Sequence, residues 1–176
     1  KDYMVLECAW GTVQDAASYK DGHIVGAYHM NTDDIESEEY WNIRTPEEIK
    51  ALMAEYGITK DTTVICYSDK GTNSADDRVA FTLLWAGVEN VKCLDGGYEA
   101  WLESGYETEK TINTPQAADK EFGVEIPAHP EYILSIDQVK EKLADDDNFK
   151  LVSIRSRDEF LGKTSGYGYI DRAGEP

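Results

Sequence analysis

Short apolar strands that alternate with capped helices are the feature that most constrains the fold of this chain. Residues 63–67 form an uninterrupted apolar run rich in β-branched side chains, which predicts a central strand covered on both faces. A helix is predicted on either side of it, at 46–56 and at about 77–86. Strands and helices in this order, at short spacing, favour an α/β fold with a parallel sheet and helices on both faces.

The helix before the central strand carries a complete start signal. Thr45 can cap it, Pro46 suits the first helical position, and Glu48 completes a capping box. One apolar face follows at helical spacing, made of Ile49, Leu52, Met53 and Tyr56. Gly57 ends the helix.

The charge balance narrows the class of partner. The chain of 176 residues has 35 acidic and 17 basic side chains, a formal net charge of −18. Such a chain repels phosphate backbones and anionic lipid, so we expect no nucleic-acid partner. No apolar run approaches the ~20 residues that cross a bilayer, so we expect no membrane insertion. The sequence does not begin with methionine, which leaves the compartment, cytoplasmic or exported, open.

The cysteines and histidines do not predict a metal site or a bound cofactor. Cys8, Cys66 and Cys93 are widely spaced, without a CxxC pair, and the three histidines lack ligand spacing. Each cysteine falls within a predicted strand, where we expect a buried and inert small hydrophobe. The alternative that stays open is a redox or persulfide role for Cys66.

The pattern changes after about residue 105. The polar stretch 109–132 contains three prolines and is interpreted as an interdomain linker. A capping box at Ser135 then begins a helix, and 151–154 predicts a strand. A helix and one strand cannot bury their apolar faces alone. We therefore expect the segment 133–176 to pack on the first domain, to associate with another copy, or to be completed by a further segment.

Three motifs in this order resemble the rhodanese (thiosulfate or mercaptopyruvate sulfurtransferase) family. They are GHIVGA at 22–27, the strand at 63–67 with its following loop, and LDGGYEAW at 94–101. The resemblance resumes at about residue 133 as an internal repeat. It implies a rhodanese-like domain at 1–108, a linker at 109–132, and a truncated second rhodanese-like repeat at 133–176.

The resemblance places Ser68 where catalytic rhodaneses carry the cysteine that becomes a persulfide. Residues 68–74 contain no thiol, and no histidine lies near Ser68 in sequence to activate its hydroxyl. We therefore expect no catalytic residue in this chain. Family members bind the anionic donor with arginines after the second domain's first strand, and Arg155 matches the first of these. Glu159 stands at the second position, so Arg157 is the substitute, while simple pairing of Arg155 with Glu159 stays open.

The other motif residues are expected to have structural or interdomain roles. We predict that His23 orients a turn and that Arg78 forms a salt bridge, with a partner across the domain interface as one alternative. We also predict a tight turn at Asp95, Gly96 and Gly97 and packing of Trp101 on the sheet.

The leading hypothesis is that the parent protein is a tandem sulfurtransferase. It would move sulfane sulfur from thiosulfate or a mercapto acid, through a cysteine persulfide in the second domain, and this chain alone would be inactive. The alternative is a binding or regulatory module without chemistry. A related phosphatase loop is disfavoured, because Thr72 stands where that loop needs an arginine.

Overall fold

Strands and helices alternate through the first 132 residues of the chain. The computed structural model describes residues 3–38, 41–68, 74–117 and 119–166. In chain order the elements are β1 (Tyr3–Ala9), α1 (Ala17–Asp21), β2 (His23–Ile24), β3 (Tyr28–Asn31), α2 (Pro46–Tyr56), β4 (Thr63–Tyr67), α3 (Ala75–Ala86), β5 (Asn90–Cys93), α4 (Gly97–Glu103) and β6 (Thr108–Glu109). Single turns of 3-10 helix lie at Thr32–Asp34 and Pro130–Tyr132.

A parallel sheet of four strands is the centre of this region. The strand order is β3-β1-β4-β5, and every neighbouring pair is parallel. β2 and β6 form a separate antiparallel pair. The α/β fold predicted from the sequence is confirmed, and β4 has a hydrogen-bonded strand on each side. β4 is an inner strand, and Ser68, the residue that follows it, lies at the edge of the sheet formed by the carboxyl ends of the parallel strands.

Successive residues of the strands enter two apolar clusters on opposite faces of the sheet. Leu6 packs with the buried faces of α2 and α3, whereas Val5 packs with residues that include Trp101 of α4. The predicted face of α2 is buried, and both bonds of the capping box at Thr45 are present. The buried residues of α3 include Val79 and Leu83, whereas Leu84 is 38% exposed because one side of this helix faces solvent.

The segment 109–132 packs on the first 108 residues through backbone and apolar contacts. Phe122 and Ile126 are buried members of the larger apolar cluster. The Lys60 N–H donates a 2.9 Å hydrogen bond to the Phe122 carbonyl oxygen. The chain separates into two compact units, Lys1–Tyr132 and Ile133–Pro176, so the segment 109–132 belongs to the first unit. The domain boundaries at 108 and 132 remain predictions.

The second unit contains α5 (Ile136–Asp145) and α6 (Arg157–Phe160). The capping box predicted at Ser135 is present. The strand predicted at 151–154 is wrong, since these residues are irregular and Ile154 is 98% exposed. A strand needs a partner for its backbone ladder, and the described part of this unit, 133–166, offers none. In the described ranges, no helix combines the length and apolarity needed to span a bilayer.

Candidate functional site

Ser68 lies directly after β4 at the carboxyl edge of the sheet, where parallel α/β sheets usually carry their functional groups. Its hydroxyl donates a 2.6 Å hydrogen bond to Oδ1 of Asp76. The side chain that the resemblance predicts to occupy the nucleophile position is thus bound to a carboxylate. Residues 69–73 of the loop that follows lie outside the described residues.

The glycine turn between β5 and α4 holds the backbone of Ser68. The Tyr98 N–H donates a 3.1 Å hydrogen bond to the Ser68 carbonyl oxygen. Gly97 has a φ of +60°, and a Cβ on it would come within 2.5 Å of that oxygen. Only glycine allows so close an approach in this backbone conformation. The LDGG motif therefore supports the end of β4.

The start of α3 places negative charge beside Ser68. Asp76 and Asp77 lie in its first turn, where the free N–H groups and the helix dipole otherwise favour an anion. Two carboxylates already occupy this position, and their negative charge opposes a thiolate or an anionic sulfur donor there. The predicted helix began at about 77, whereas the helix begins at Ala75. The spacing of Ser68 and Asp76 carries no sequence signal for their bond.

No histidine is placed to activate Ser68. All three histidines lie in the described ranges, and none has a hydrogen bond to Ser68 there. Their ring nitrogens contact the Tyr19 carbonyl (His23), Glu7 and the Gly11 carbonyl (His29), and Glu131 (His129). The base hydrogen-bonded to Ser68 is the Asp76 carboxylate, and because a carboxylate is a weaker base than an imidazole, the hydroxyl is a weak nucleophile.

The three cysteines are also poor nucleophiles. Cys8 and Cys66 are fully buried as predicted, and burial, followed by the neighbouring Cys66, raises the pKa of the Cys8 thiol. The prediction that Cys93 is buried is wrong, because β5 is an edge strand and leaves it exposed. Desolvation of its thiol, followed by the neighbouring Cys66 and the carboxylate of Asp76, raises the pKa of Cys93 to about 12. A thiol that stays protonated at neutral pH reacts slowly.

His23 is the first residue of β2, directly after the Gly22 turn that ends α1. Its ring is fully buried and stacks on Tyr19, with centroids 3.7 Å apart. Nδ1 lies 2.7 Å from the Tyr19 carbonyl oxygen, which can only accept, so Nδ1 carries a hydrogen. Nε2 is 3.7 Å from Oε1 of Glu109. These contacts join the GHIVGA motif to α1 and β6.

Arg78 of α3 pairs with a residue of the first unit. Its Nε donates a 2.8 Å hydrogen bond to Oε2 of Glu36, and Nη2 donates at 2.7 Å to the Trp41 carbonyl oxygen. The expected salt bridge thus holds the segment that precedes α2.

Trp101 packs in the apolar cluster on the α4 face of the sheet. Its indole N–H donates a 2.9 Å hydrogen bond to the Glu107 carbonyl oxygen. Among the described residues, the Asp95 carboxylate accepts no hydrogen bond from the backbone of the tight turn predicted at Asp95, Gly96 and Gly97. A bond of 3.0 Å from the Gly97 N–H to the Leu94 carbonyl closes this turn instead.

The two arginines predicted to bind substrate lie at the start of α6 in the second unit. Arg155 donates to the Ser153 hydroxyl at 3.2 Å and to the backbone carbonyl of Glu159 at 3.4 Å. Its guanidinium also lies 5.5 Å from the ring centre of Phe160. In the capping box of α6, the Glu159 carboxylate accepts a hydrogen bond from the Ser156 N–H. Arg155 therefore contacts the backbone carbonyl of Glu159 and not the carboxylate that the alternative pairing would use. Arg157 is the first residue of the helix.

Comparison with known proteins identifies relatives for nearly the whole chain. A family profile described as "Rhodanese-like domain" matches residues 12–104. The thiosulfate sulfurtransferase YnjE of Escherichia coli (strain K12) is 42% identical over 174 residues, which cover 99% of this chain and 39% of that protein.

Solved structures agree with this match. The crystal structure of YnjE has a TM-score of 0.89 at 42% identity and covers 99% of this chain and 41% of that one. The anaerobic ergothioneine biosynthesis enzyme from Chlorobium limicola, in complex with trimethyl histidine, has a TM-score of 0.87 at 39% identity, with 98% and 42% covered. The chain therefore spans about two fifths of the length of these relatives.

Proposed function

This chain belongs to the rhodanese-like domain family, and from that premise we propose that its parent protein is a sulfurtransferase in which residues 1–132 supply no nucleophile. The sulfur would pass through a cysteine persulfide in a second domain that begins near residue 133. The relative named as a thiosulfate sulfurtransferase supports this class of reaction.

The proposed reaction transfers one sulfur atom without a cofactor. A cysteine thiolate attacks the outer sulfur of thiosulfate, the S–S bond of the donor breaks, and sulfite leaves with its electron pair. A thiol or cyanide then attacks the terminal sulfur of the persulfide and regenerates the thiolate. Both steps need a low thiol pKa and a site that accepts negative charge.

The hydrogen bond from Ser68 to Asp76 carries the proposal that the first unit is inactive. It places a hydroxyl where a thiolate is needed and a carboxylate where an anion must bind. The same observation also favours the rival function, a binding module without chemistry. The two proposed functions differ in whether the parent protein catalyses sulfur transfer.

A thiosulfate:cyanide assay separates them. For the 176-residue chain we expect no thiocyanate above the uncatalysed rate, and for the parent protein we expect turnover. Turnover by the chain that is lost on Ser68→Ala would overturn the proposed inactivity. An inactive parent protein, tested with thiosulfate and with a mercapto acid, would favour the binding module.

A second experiment restores the nucleophile. With Ser68→Cys alone, Asp76 keeps the new thiol protonated, so we expect slow alkylation and little persulfide after polysulfide treatment. Adding Asp76→Asn removes the carboxylate and should lower the pKa of the thiol by about one unit, a tenfold gain in thiolate.

The matched control is Ser104→Cys, on an exposed residue of the first unit. Its alkylation rate should not depend on Asp76→Asn. Equal gains at positions 68 and 104 would contradict the electrostatic role of Asp76. Intact mass after polysulfide would report each persulfide as an added sulfur atom.

We assign Arg155 and Arg157 to the anionic donor in the parent protein. In that protein, Arg157→Ala should raise the KM for thiosulfate about tenfold while kcat changes little, because a charge-assisted contact to substrate is lost. Lys163→Ala removes another exposed cation near α6 and serves as the control. An equal KM for the two variants would contradict the assignment.

The exposed apolar residues of the second unit support self-association of the isolated chain. They are Ile136, Leu143, Leu151, Val152 and Ile154. Exposed apolar surface of this kind favours burial against another surface. Sedimentation at rising concentration should show a dimer that Ile154→Asp disperses, and a monomer at all concentrations would rule this out.

A further inference from the structure

A buried acid–base pair joins the neighbouring strands β1 and β3. Glu7 and His29 are register partners, and their side chains are 3% and 4% exposed. Nδ1 of His29 lies 2.6 Å from Oε2 of Glu7. The other carboxylate oxygen of Glu7 accepts a 2.9 Å hydrogen bond from the Ser18 hydroxyl. A buried carboxylate is costly unless it is paired in this way.

The geometry of His29 fixes the number of protons in the pair. Nε2 lies 2.8 Å from the Gly11 carbonyl oxygen, which can only accept, so Nε2 carries a hydrogen. The contact of 2.6 Å between Nδ1 and Glu7 also needs one hydrogen, whether it belongs to the ring or to the acid. The pair therefore holds one proton more than a neutral imidazole beside a carboxylate.

The same ring holds the turn that follows β1. The Gly11 N–H donates a 2.9 Å hydrogen bond to Oδ1 of Asn31, two residues after His29 on β3. Side chains two apart in a strand share a face, so two neighbouring side chains of β3 hold both polar groups of Gly11. The turn carries Trp10, whose side chain is 70% exposed.

We propose that the proton held by Glu7 and His29 locks the turn at Gly11 onto β3, and that its loss in alkaline solution releases the Gly11 carbonyl and moves Trp10. The Glu7 carboxylate keeps the hydrogen on Nδ1, so Nε2 is the nitrogen that loses its own. An Nε2 lone pair then faces the carbonyl oxygen, and the contact turns from attractive to repulsive.

The direction of the switch follows from the surroundings of His29. Burial by itself lowers the pKa of His29, but the hydrogen bonds to Glu7 and to the Gly11 carbonyl, with the charge of Asp34, raise it above its ordinary value. A raised pKa in the folded state means that the lock is complete below the ordinary histidine pKa of about 6.5. It is lost as the pH rises through the raised pKa.

The ionisable groups around His29 come from every element packed against it. They are Glu7 on β1, Tyr19 on α1, Asp34 in the 3-10 turn, and Glu55 and Tyr56 on α2. Tyr56 donates its hydroxyl to the His29 carbonyl oxygen. Glu55 lines a cavity that His29 also lines. The three carboxylates favour the imidazolium. The two tyrosines ionise at higher pH than histidine and do not define the transition.

Two NMR titrations of the chain test this proposal. Imidazole nitrogen shifts should show His29 with a hydrogen on both nitrogens below its transition, and a midpoint above the ordinary histidine pKa of about 6.5. In protein labelled with 5-fluorotryptophan, the Trp10 resonance, assigned by Trp10→Phe, should shift with the same midpoint. A Trp10 resonance that ignores the titration of His29 would overturn the switch.

Variants separate the lock from general stability. Glu7→Gln should lower both midpoints together by at least one unit, a tenfold loss of proton affinity. His29→Gln keeps an amide hydrogen for Gly11 and should abolish the Trp10 transition. Its persistence there would contradict the proposal.

The matched control is Glu131→Gln, beside the exposed His129, and it should leave the Trp10 midpoint unchanged. If Glu7→Gln fails to fold, His29→Gln still decides the outcome. Neither readout depends on sulfur transfer, so the switch and the proposed function can fail separately.

Discussion

The helices α2 and α5 begin with the same local signal but differ in what covers them. Both have a complete capping box, Thr45 with Glu48 and Ser135 with Gln138. In α2 the apolar face is buried, and Met53 has no exposed area. In α5 the corresponding face is open, with Leu143 51% exposed.

The difference teaches that a capped amphipathic pattern specifies a helix but not its stability. An isolated helix shorter than about 12–15 residues is marginal in water, and most helical stability comes from packing of the apolar face. α2 has that packing from the sheet. In the described part of the second unit, 133–166, the strand expected at 151–154 is missing, so no sheet there covers α5.

The largest expected effect is on the packed face of α2. Met53→Ala should lower the opening free energy of α2 by about 2–5 kcal/mol, because it leaves a cavity in a closed core. Leu143→Ala should change that of α5 by less than about 0.5 kcal/mol, since the side chain already contacts water. Hydrogen exchange of the two helices, measured by mass spectrometry, gives both values. Equal losses would mean that α5 is packed as firmly as α2.

Loss of the cap should reduce the helix content of α5 more than that of α2, the reverse of the order expected for the two apolar faces. Removing the cap with Thr45→Ala should cost about 0.5–2 kcal/mol and leave α2 folded. Ser135→Ala removes a similar contribution from a helix of 10 residues without a covered face, so α5 should lose most of its helix. Backbone carbon shifts across each helix report the result. A helical α5 in Ser135→Ala would show that contacts other than the cap stabilise it.

The smallest effect is a pH dependence shared by two capping carboxylates. Hydrogen bonds from Thr45 lower the pKa of Glu48, and hydrogen bonds from Ser156 lower the pKa of Glu159. A depressed pKa in the folded state means that each contribution is present above the ordinary glutamate pKa and is lost as the pH falls through the depressed value. Carboxyl carbon titrations should find both glutamates below the ordinary glutamate range, and Thr45→Ala should move Glu48 only part of the way back and leave Glu159 unchanged, because the Thr45 N–H that bonds the Glu48 carboxylate remains.

Much of the fold could be predicted because its signals are local. The cap at Thr45, the buried face of α2 and the apolar run of β4 depend on residues close in sequence. The missing strand at 151–154 shows the limit, since a strand is completed only by a partner. The exposure of Cys93 has the same origin, because only the strand order makes β5 an edge.

Less of the candidate site could be predicted. That Ser68 stands where the family carries its cysteine is a prediction that the resemblance allows. The bond from Ser68 to Asp76 is not, because it depends on where α3 begins and on how its first turn meets the end of β4. The pair of Glu7 and His29 also escaped prediction, since register between β1 and β3 brings together residues that share no motif.

The sequence by itself determined the α/β class, the capped starts of α2 and α5 and the absence of a thiol after β4. Only the tertiary structure decided that a carboxylate lies beside Ser68 and that a buried proton joins β1 to the turn at Gly11. The physical reason is that caps and periodicity act within one helical turn or strand. Charge and burial at a site are instead set by side chains that only the folded backbone brings within hydrogen-bond distance.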